Sequence, residues 1–442
     1  MPMQTPRLSP TELQKNFADI APALTPNEAV LEASRCLFCY DAPCMRACPT
    51  HIDVPKFIRQ IMERDLKGSA KTILSANILG GACARACPTE VLCEGACVFN
   101  GLNEKPIQIG LLQRHATDFA MANNIQFFKK APALGKKVAI IGAGPAGLSC
   151  AHALTKSGVE CVVFEAQPVT GGLNTFGIAA YKMTSAFSLA EADYVRQIGF
   201  DIRTNTPVGE NLPVTKLLAE YNAVFLGVGL GKTLDLGIEG ENLAGCWEAL
   251  DFIMPTRLKK YEECLIGENV LVIGAGNTAI DVATAAVRLG AAAVTIVYRR
   301  SEKEMPAFKY EYNLAKADAV KFLWHTAPQR IVGANGKVSG LECYKVKPAN
   351  DGKLEKISGS EHLMPCDMVI KALGQDALYD LYKTIPHLNV AGKRVVVNAE
   401  TGETSVPGLF AGGDCINGGG EVVDAVEHGK IAARGILKYL TH

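Results

Sequence analysis

An α/β protein, with a helical N-terminal module followed by two Rossmann-like domains, is predicted by three observations in a chain of 442 residues. Two stretches repeat one pattern of continuous apolar run, glycine-rich turn and helix: Val138-Ala139-Ile140-Ile141-Gly142-Ala143-Gly144-Pro145-Ala146-Gly147 and Val270-Leu271-Val272-Ile273-Gly274-Ala275-Gly276-Asn277-Thr278-Ala279. Continuous apolar runs mark strands buried on both faces of a parallel sheet, and a glycine turn opening a helix marks a phosphate cradle. Ahead of both, eight of the fifteen cysteines fall between Cys36 and Cys97, among amphipathic stretches such as Val54 to Leu66 and Ile109 to Ala122. The expected domains are 1–130, helical; 131–265 with 400–442, a discontinuous first nucleotide domain; and 266–399, the second. Residues Lys129 to Gly135 read as the linker where composition changes.

Composition narrows the function classes. Lys plus Arg and Asp plus Glu both total 45, so no basic patch points to nucleic acid or anionic lipid. The longest uncharged run, Val138 to Thr155, has the length of a membrane span, yet Gly142, Gly144, Pro145, Gly147 and His152 interrupt it. No charged n-region and apolar h-region open the chain, so a cytoplasmic protein with reduced thiols is expected.

The cysteines run Cys36-x2-Cys39-x4-Cys44-x3-Cys48-Pro49 and Cys83-x3-Cys87-Pro88-x4-Cys93-x3-Cys97. Thiolates are the soft ligands of iron-sulfur clusters, and short spacings with Pro after a run-ending Cys are similar to the bacterial ferredoxin run. Four-cysteine zinc sites also use short spacings, and a secreted disulfide scaffold would be far shorter than this chain. The other seven cysteines, Cys150, Cys161, Cys246, Cys264, Cys343, Cys366 and Cys415, are scattered singly and read as core packing.

In the first nucleotide unit, Gly142 permits the tight turn, Gly144 lets backbone approach a pyrophosphate, and Gly147 allows close helix–strand packing, with Pro145 and Ala146 in the same turn. The next strand, Cys161 to Phe164, ends at Glu165, placed to accept hydrogen bonds from ribose hydroxyls. The second unit's corresponding strand, Val294 to Val297, ends instead in Tyr298-Arg299-Arg300. Guanidinium groups suit a 2'-phosphate that an acid would repel, which favours NADPH while leaving NADH open. Near the C-terminus, Val406 to Asp414 is an apolar strand turning into Gly413-Asp414, which resembles the second flavin motif of two-dinucleotide flavoproteins; that resemblance implies Asp414 against the FAD chain and a following helix, about Val422 to Tyr439, with its N-terminus toward the flavin ring. A hydride donor and one-electron clusters require a flavin between them, so FAD is expected. Hydride transfer needs stacking rather than an acid or base, and no Ser-His-Asp, HExxH or paired-carboxylate pattern is present, so no catalytic side chain is expected.

These residues resemble a known family. Arg35 to Cys44 and Cys87-Pro88-Thr89-Glu90-Val91-Leu92-Cys93, continuing through Ile107 to Gln113 and both nucleotide folds, look like the N-terminal half of dihydropyrimidine dehydrogenase, within the superfamily of the glutamate synthase small subunit. The resemblance implies two interleaved 4Fe-4S clusters, one on Cys36, Cys39, Cys44 and Cys97, the other on Cys48, Cys87 and Cys93 with Gln113 as fourth ligand, leaving Cys83 outside. Eight cysteines taken alone suggest four for each cluster. The resemblance also assigns Leu173, Lys182, Val208 and Asp414 to FAD with Gly413 and Val422 beside it, and Ala275, Gly276, Asn277, Thr278, Arg299, Arg300, Ala372 and Gly374 to NAD(P)H. Lys182 stands where the family has Arg, which keeps a positive charge, and Pro306 stands where the eukaryotic enzyme is basic, which removes one phosphate contact. It implies an electron-input subunit: hydride from NAD(P)H to FAD, then single electrons through two clusters to a separate FMN subunit that reduces uracil or thymine, in a hetero-oligomer. The alternatives are the small subunit of a glutamate synthase-like NADPH oxidoreductase and a non-catalytic redox sensor.

Overall fold

The computed structural model describes residues 7–349 and 353–441. The cysteine segment is helical, and the helices that begin at Pro26, Val54 and Leu66 start where Thr25, Asp53 and Asp65 can take up an amide left free by the first turn. Helix α1 (Pro26–Ser34) begins with a capping box of Thr25 and Glu28 and a first-turn proline. The expected helix over Val54 to Leu66 is two helices, α2 (Val54–Met62) and α3 (Leu66–Ala76). Arg64 turns the chain with φ 63°, and Asp65 caps α3 by accepting from the Gly68 amide at 2.8 Å, a local bond that ends the apolar periodicity. Helix α4 (Gly80–Ala86) is short, and α5 (Ile109–Ala122) has the expected bounds. Their buried faces follow helical spacing: Val54, Phe57, Ile58 and Ile61 on α2, Ile109, Leu112, Ala116 and Ala120 on α5.

The chain divides into two compact units. One contains residues 20–175, 182–230 and 377–442, and so holds the cysteine helices together with the first nucleotide fold. Its five-stranded sheet is parallel throughout. Strands β1 (Lys137–Ile141), β2 (Glu160–Phe164), β3 (Asp201–Arg203) and β4 (Ala223–Leu226) lie with strand Leu409–Ala411 in the order 409–411, β4, β1, β2, β3. Helix α6 (Pro145–Lys156) crosses from β1 to β2, and α7 (Ser185–Arg196) precedes β3. Val138, Ala139 and Ile140 are fully buried, as a strand covered on both faces demands.

Of the described residues, the other unit contains 7–19, 176–181 and 231–376 without 350–352. Its parallel sheet runs β5 (Cys246–Glu248), β13 (Met368–Lys371), β6 (Asn269–Ile273), β7 (Ala293–Val297), β8 (Lys321–Leu323), taking the strand numbers in chain order. Between β8 and β13 the chain forms an antiparallel sheet of β9 (Thr326–Ala334), β10 (Lys337–Pro348), β11 (Leu354–Lys356) and β12 (His362–Pro365).

The units divide at Gly231 and Asp376, against boundaries of 266 and 399 expected from sequence. The reason is strand pairing and burial: β5 lies before 266 but pairs with β13, while Ala377, Tyr382, Ile385 and Val395 lie before 399 but join the core around Ile141 and Leu226. The two crossing stretches bond to each other, Gly231 N–H to the Asp376 carbonyl at 2.7 Å and the Asp376 N–H to that of Lys232 at 2.8 Å. Six of the seven isolated cysteines are buried and Cys246 is half-buried on β5. Among the described residues, no helix is long and apolar enough to cross a membrane.

His152 on α6 is buried and packs edge-on against Phe128, ring centroids 5.1 Å apart, which pushes its pKa down to about 4 by desolvation, with Lys156 adding repulsion. Unfolded, it would titrate near its ordinary 6.5. Between these values the unfolded chain binds a proton that the native chain excludes, so this stabilisation is complete above about pH 6.5 and is lost as pH falls toward 4. The loss is on the order of 3 kcal/mol at 1.36 kcal/mol per unit. His152→Leu should therefore lose melting temperature less steeply than the wild type between pH 6.5 and 4.5; parallel declines would refute the assignment.

Candidate cluster and dinucleotide sites

Cys36, Cys39, Cys44 and Cys97 line one small cavity, floored by Val54 and Ile58 of α2. Two left-handed residues, Phe38 (φ 50°) and Ala42 (φ 37°), fold the loop so that Cys39 and Cys44 face the same space as Cys36, one residue beyond the α1 cap at Arg35. Cys97 comes from the far end of the second run. Burial raises the Cys36 and Cys44 thiols, Cys44 to about 11, and both feel the neighbouring Cys97. These thiols must lose their protons to bind metal. Among the described residues, no three or more Cys, His, Asp or Glu groups are arranged to hold a metal ion. Four thiols around a cavity rather than on one point suit a cluster, whose irons each take their own ligand, better than tetrahedral zinc.

The remaining cysteines gather around α4. Cys83 lies within it and Cys87 caps its C-terminus. The Cys87 thiol is raised first by its hydrogen bond with Cys83, then by burial and by Cys93; burial raises Cys93, with Glu94 and Cys48 adding to it. Cys48 Sγ lies 3.3 Å from Thr50 Oγ1. Of the two candidates for the fourth position, Cys83 hydrogen-bonds with Cys87 and its Sγ accepts from Asn77 Nδ2 at 3.1 Å, whereas Gln113 on α5, buried, donates Nε2–H to the Gly80 carbonyl at 2.7 Å, at the other end of α4.

Three acids that sequence reasoning missed hold these helices. Glu32 accepts from the Gln108 amide at 2.8 Å and Glu94 from the Gly110 amide at 2.9 Å, both at the start of α5. Glu191 on α7 accepts from the Gly81 and Ala82 amides at 2.8 and 3.0 Å. Burial pushes the Glu191 carboxyl up to about 7, opposed by the Ala82 amide and by Arg85. Only the tertiary fold reveals these roles, because each partner is remote in sequence or lies outside any capping pattern.

At the first nucleotide turn, Gly142 has φ +100°, and a Cβ there would strike the Gly227 carbonyl oxygen beyond β4; one at Gly147 would strike the Gly142 carbonyl. Gly144 is the N-cap of α6, and a Cβ on Gly172 (φ +56°) would stand 2.9 Å from its Cα. The bare backbone is a cradle that side chains would fill, with Pro145 and Ala146 in the first turn of α6 above it. Glu165, at the end of β2, accepts from the Ala143 amide at 2.7 Å and the Gln167 amide at 2.8 Å, so it fastens the turn and keeps further lone pairs for hydroxyl donors. Leu173 is exposed beside this loop, Lys182 is half-buried, and Val208 packs at the edge of the core. Gly413 (φ +79°) delivers Asp414, which accepts from the Gly420 amide at 3.0 Å and is raised by burial; the C-terminal helix starts at Val422. This crevice lies at the carboxyl ends of parallel strands where order reverses, the location expected for a dinucleotide.

The second turn repeats the first. Gly274 has φ +121°, its absent Cβ facing the Ala372 carbonyl oxygen beyond β13, and Gly276 caps the helix Asn277–Arg288. Thr278 follows in the first turn, Asn277 Oδ1 accepts from the Phe308 amide at 3.0 Å, and the Ala275 carbonyl accepts from Ala307 at 3.2 Å. Ala372 is buried and Gly374 (φ +84°) has open space about it. Arg299 is exposed, whereas Arg300 pairs with Glu304 at 2.9 Å. Glu304 is held down to about 2, first by Ser301 and then by Arg300. The i,i+4 spacing of Arg300 and Glu304 was the available signal for a pairing that engages one expected phosphate ligand.

Comparison with known proteins agrees with this division. Residues 13–125 match the family described as dihydropyrimidine dehydrogenase domain II, 4Fe-4S cluster, and residues 136–429 match the pyridine nucleotide-disulphide oxidoreductase family. The glutamate synthase [NADPH] small chain of Escherichia coli K12 is 35% identical, covering 98% of this chain and 96% of that protein. The NAD-dependent dihydropyrimidine dehydrogenase subunit PreT of the same strain is 36% identical, covering 97% and 98%. Among solved structures, Mycobacterium tuberculosis FprA in complex with NADPH shares the fold at 20% identity, with a TM-score of 0.59 over 70% of this chain and 85% of that one. The chain belongs to the pyridine nucleotide-disulphide oxidoreductase family, as an NAD(P)H-dependent flavin and iron-sulfur oxidoreductase with the domain order of glutamate synthase small chains and dihydropyrimidine dehydrogenase subunits.

Proposed function

We propose that this chain is the electron-input subunit of a cytoplasmic dihydropyrimidine dehydrogenase. It takes a hydride from NAD(P)H on FAD and passes single electrons through two 4Fe-4S clusters to a separate FMN-containing subunit that reduces uracil or thymine to the 5,6-dihydro form. The observation that carries this reading is the gathering of the two cysteine runs into one cavity group and one α4 group in the same compact unit as the first nucleotide cradle. A bound flavin supplies the conversion between two-electron and one-electron transfer. The chain's own residues would hold the groups. Gly142, Gly144, Gly147, Glu165 and Asp414 serve FAD, Gly276 to Thr278 with Arg299 serve NAD(P)H, and the first cluster takes Cys36, Cys39, Cys44 and Cys97. Cys48, Cys87, Cys93 and Gln113 hold the second. The names of the PreT relatives support the pyrimidine step.

The match to glutamate synthase small chains over nearly the whole chain favours a second reading, with the same internal chemistry but a different electron-accepting partner. Anaerobic purification with the copurifying partner separates the two. NADPH oxidation that depends on uracil is expected, and oxidation only with glutamine plus 2-oxoglutarate would transfer the chain to the second class. A chain that reduces no artificial acceptor at all would be a sensor.

Arg299→Ala should raise the KM for NADPH about tenfold, the worth of one charge-assisted hydrogen bond, with much less effect on NADH; equal effects on both would remove the 2'-phosphate role. Gln113→Leu should lower iron content or alter one cluster's spectrum. If it changes neither while Cys83→Ser loses a cluster, the second cluster has four cysteine ligands.

A further inference from the structure

We propose that Glu191 is the positioning residue for the cluster held by Cys48, Cys87 and Cys93, acting through helix α4; the inference rests on the two-cluster reading above. Helix α4 has only seven residues, and Leu79 at its N-cap offers no side-chain acceptor to the amides of its first turn. The Glu191 carboxylate, 2% exposed, fills that role from 110 residues away, accepting from Gly81 N–H at 2.8 Å and from Ala82 N–H at 3.0 Å to Oε1 and 3.2 Å to Oε2. A local Ser cap would have satisfied one of these donors at no cost of burying a charge. Using a remote acid instead ties the cysteine helix to α7.

The surroundings leave α4 no freedom to slide. A Cβ on Gly81 would meet the Phe187 ring at 2.6 Å and Glu191 Oε1 at 2.8 Å. Arg85 lies 3.6 Å over that same ring, donates to the Gly81 carbonyl at 3.1 Å and pairs with Asp118 of α5 at 2.8 Å. Gln113 fixes the Gly80 carbonyl at 2.7 Å. Cys87, at the other end of these two turns, is set by its own N–H, which donates to the Cys83 carbonyl at 3.0 Å. A shift at the Glu191 end therefore moves Cys87. Helix α7 follows three residues after Lys182, so one short segment connects a proposed FAD contact to the placement of a cluster ligand. Partners of this kind orient metal ligands and tune the centre they hold.

The test is a redox titration followed by electron paramagnetic resonance on the full chain, anaerobically loaded, comparing wild type with Glu191→Gln and Glu191→Ala. Gln keeps the shape and one acceptor; Ala removes both. The expected result is a changed spectrum or midpoint potential, or loss of iron, at one cluster only, larger for Ala than for Gln, with that cluster's rate of reduction about tenfold lower. Two wild-type signals that both stay unmoved in the variants would overturn the inference while leaving the two-cluster reading intact. Loss of both clusters together would also overturn it, because a general folding role predicts that. A wild type with a single cluster signal would sink the two-cluster reading and this inference with it.

Discussion

Both nucleotide folds depend on one steric constraint: the turn after the central strand passes so close to a neighbouring strand's end that no Cβ fits. At Gly142 the obstacle is the Gly227 carbonyl, at Gly274 the Ala372 carbonyl, and both glycines sit at positive φ. That approach sets the start of the following helix at Gly144 and Gly276, whose backbones have nearly the same conformation, φ −79° ψ −177° and φ −83° ψ 177°. Free amides at these starts face the space beyond the strand ends, which is what an anionic pyrophosphate requires. The tight turn and the cradle both follow from the same missing atom.

In the cysteine module the comparable constraint is electrostatic. The module has short helices and few residues to spare for caps, so acids supply them: Glu32 and Glu94 at the start of α5, Glu191 at the start of α4. Carboxylates at helix N-termini gain from the dipole as well as from the hydrogen bonds. Two buried cations are likewise matched, Arg85 by Asp118 in this unit and, in the other, Lys371 by Asp235 and Glu241 at 2.9 Å each. Removing the acids would strand these cations away from water.

Cofactor preference turns on a smaller balance. Two arginines follow β7, but Arg300 is already paired with Glu304, so the exposed guanidinium of Arg299 carries the case for a 2'-phosphate. Pairing at an exposed position is weak, and a phosphate could compete for Arg300 at modest cost.

Much of this was legible in the chain itself. Continuous apolar runs located β1, β2, β6 and β7 to within a residue, Ile109 to Ala122 gave the bounds of α5, and the glycine turns announced both cradles, because each signal is written in consecutive residues. Cysteine spacing alone identified a cluster chemistry but not a grouping. Cys97 lines the cavity of the first run although it ends the second, and that depends on how the helices fold back rather than on counting. The unit boundaries at Gly231 and Asp376 and the reach of Glu191 to α4 were likewise decided only by tertiary structure, whereas the break in the helix at Arg64 and the engagement of Arg300 by Glu304 rest on near neighbours in sequence. Local backbone geometry and hydrophobic period are properties of neighbours in sequence, whereas strand pairing, shared cavities and buried charge depend on residues far apart in the chain meeting in space.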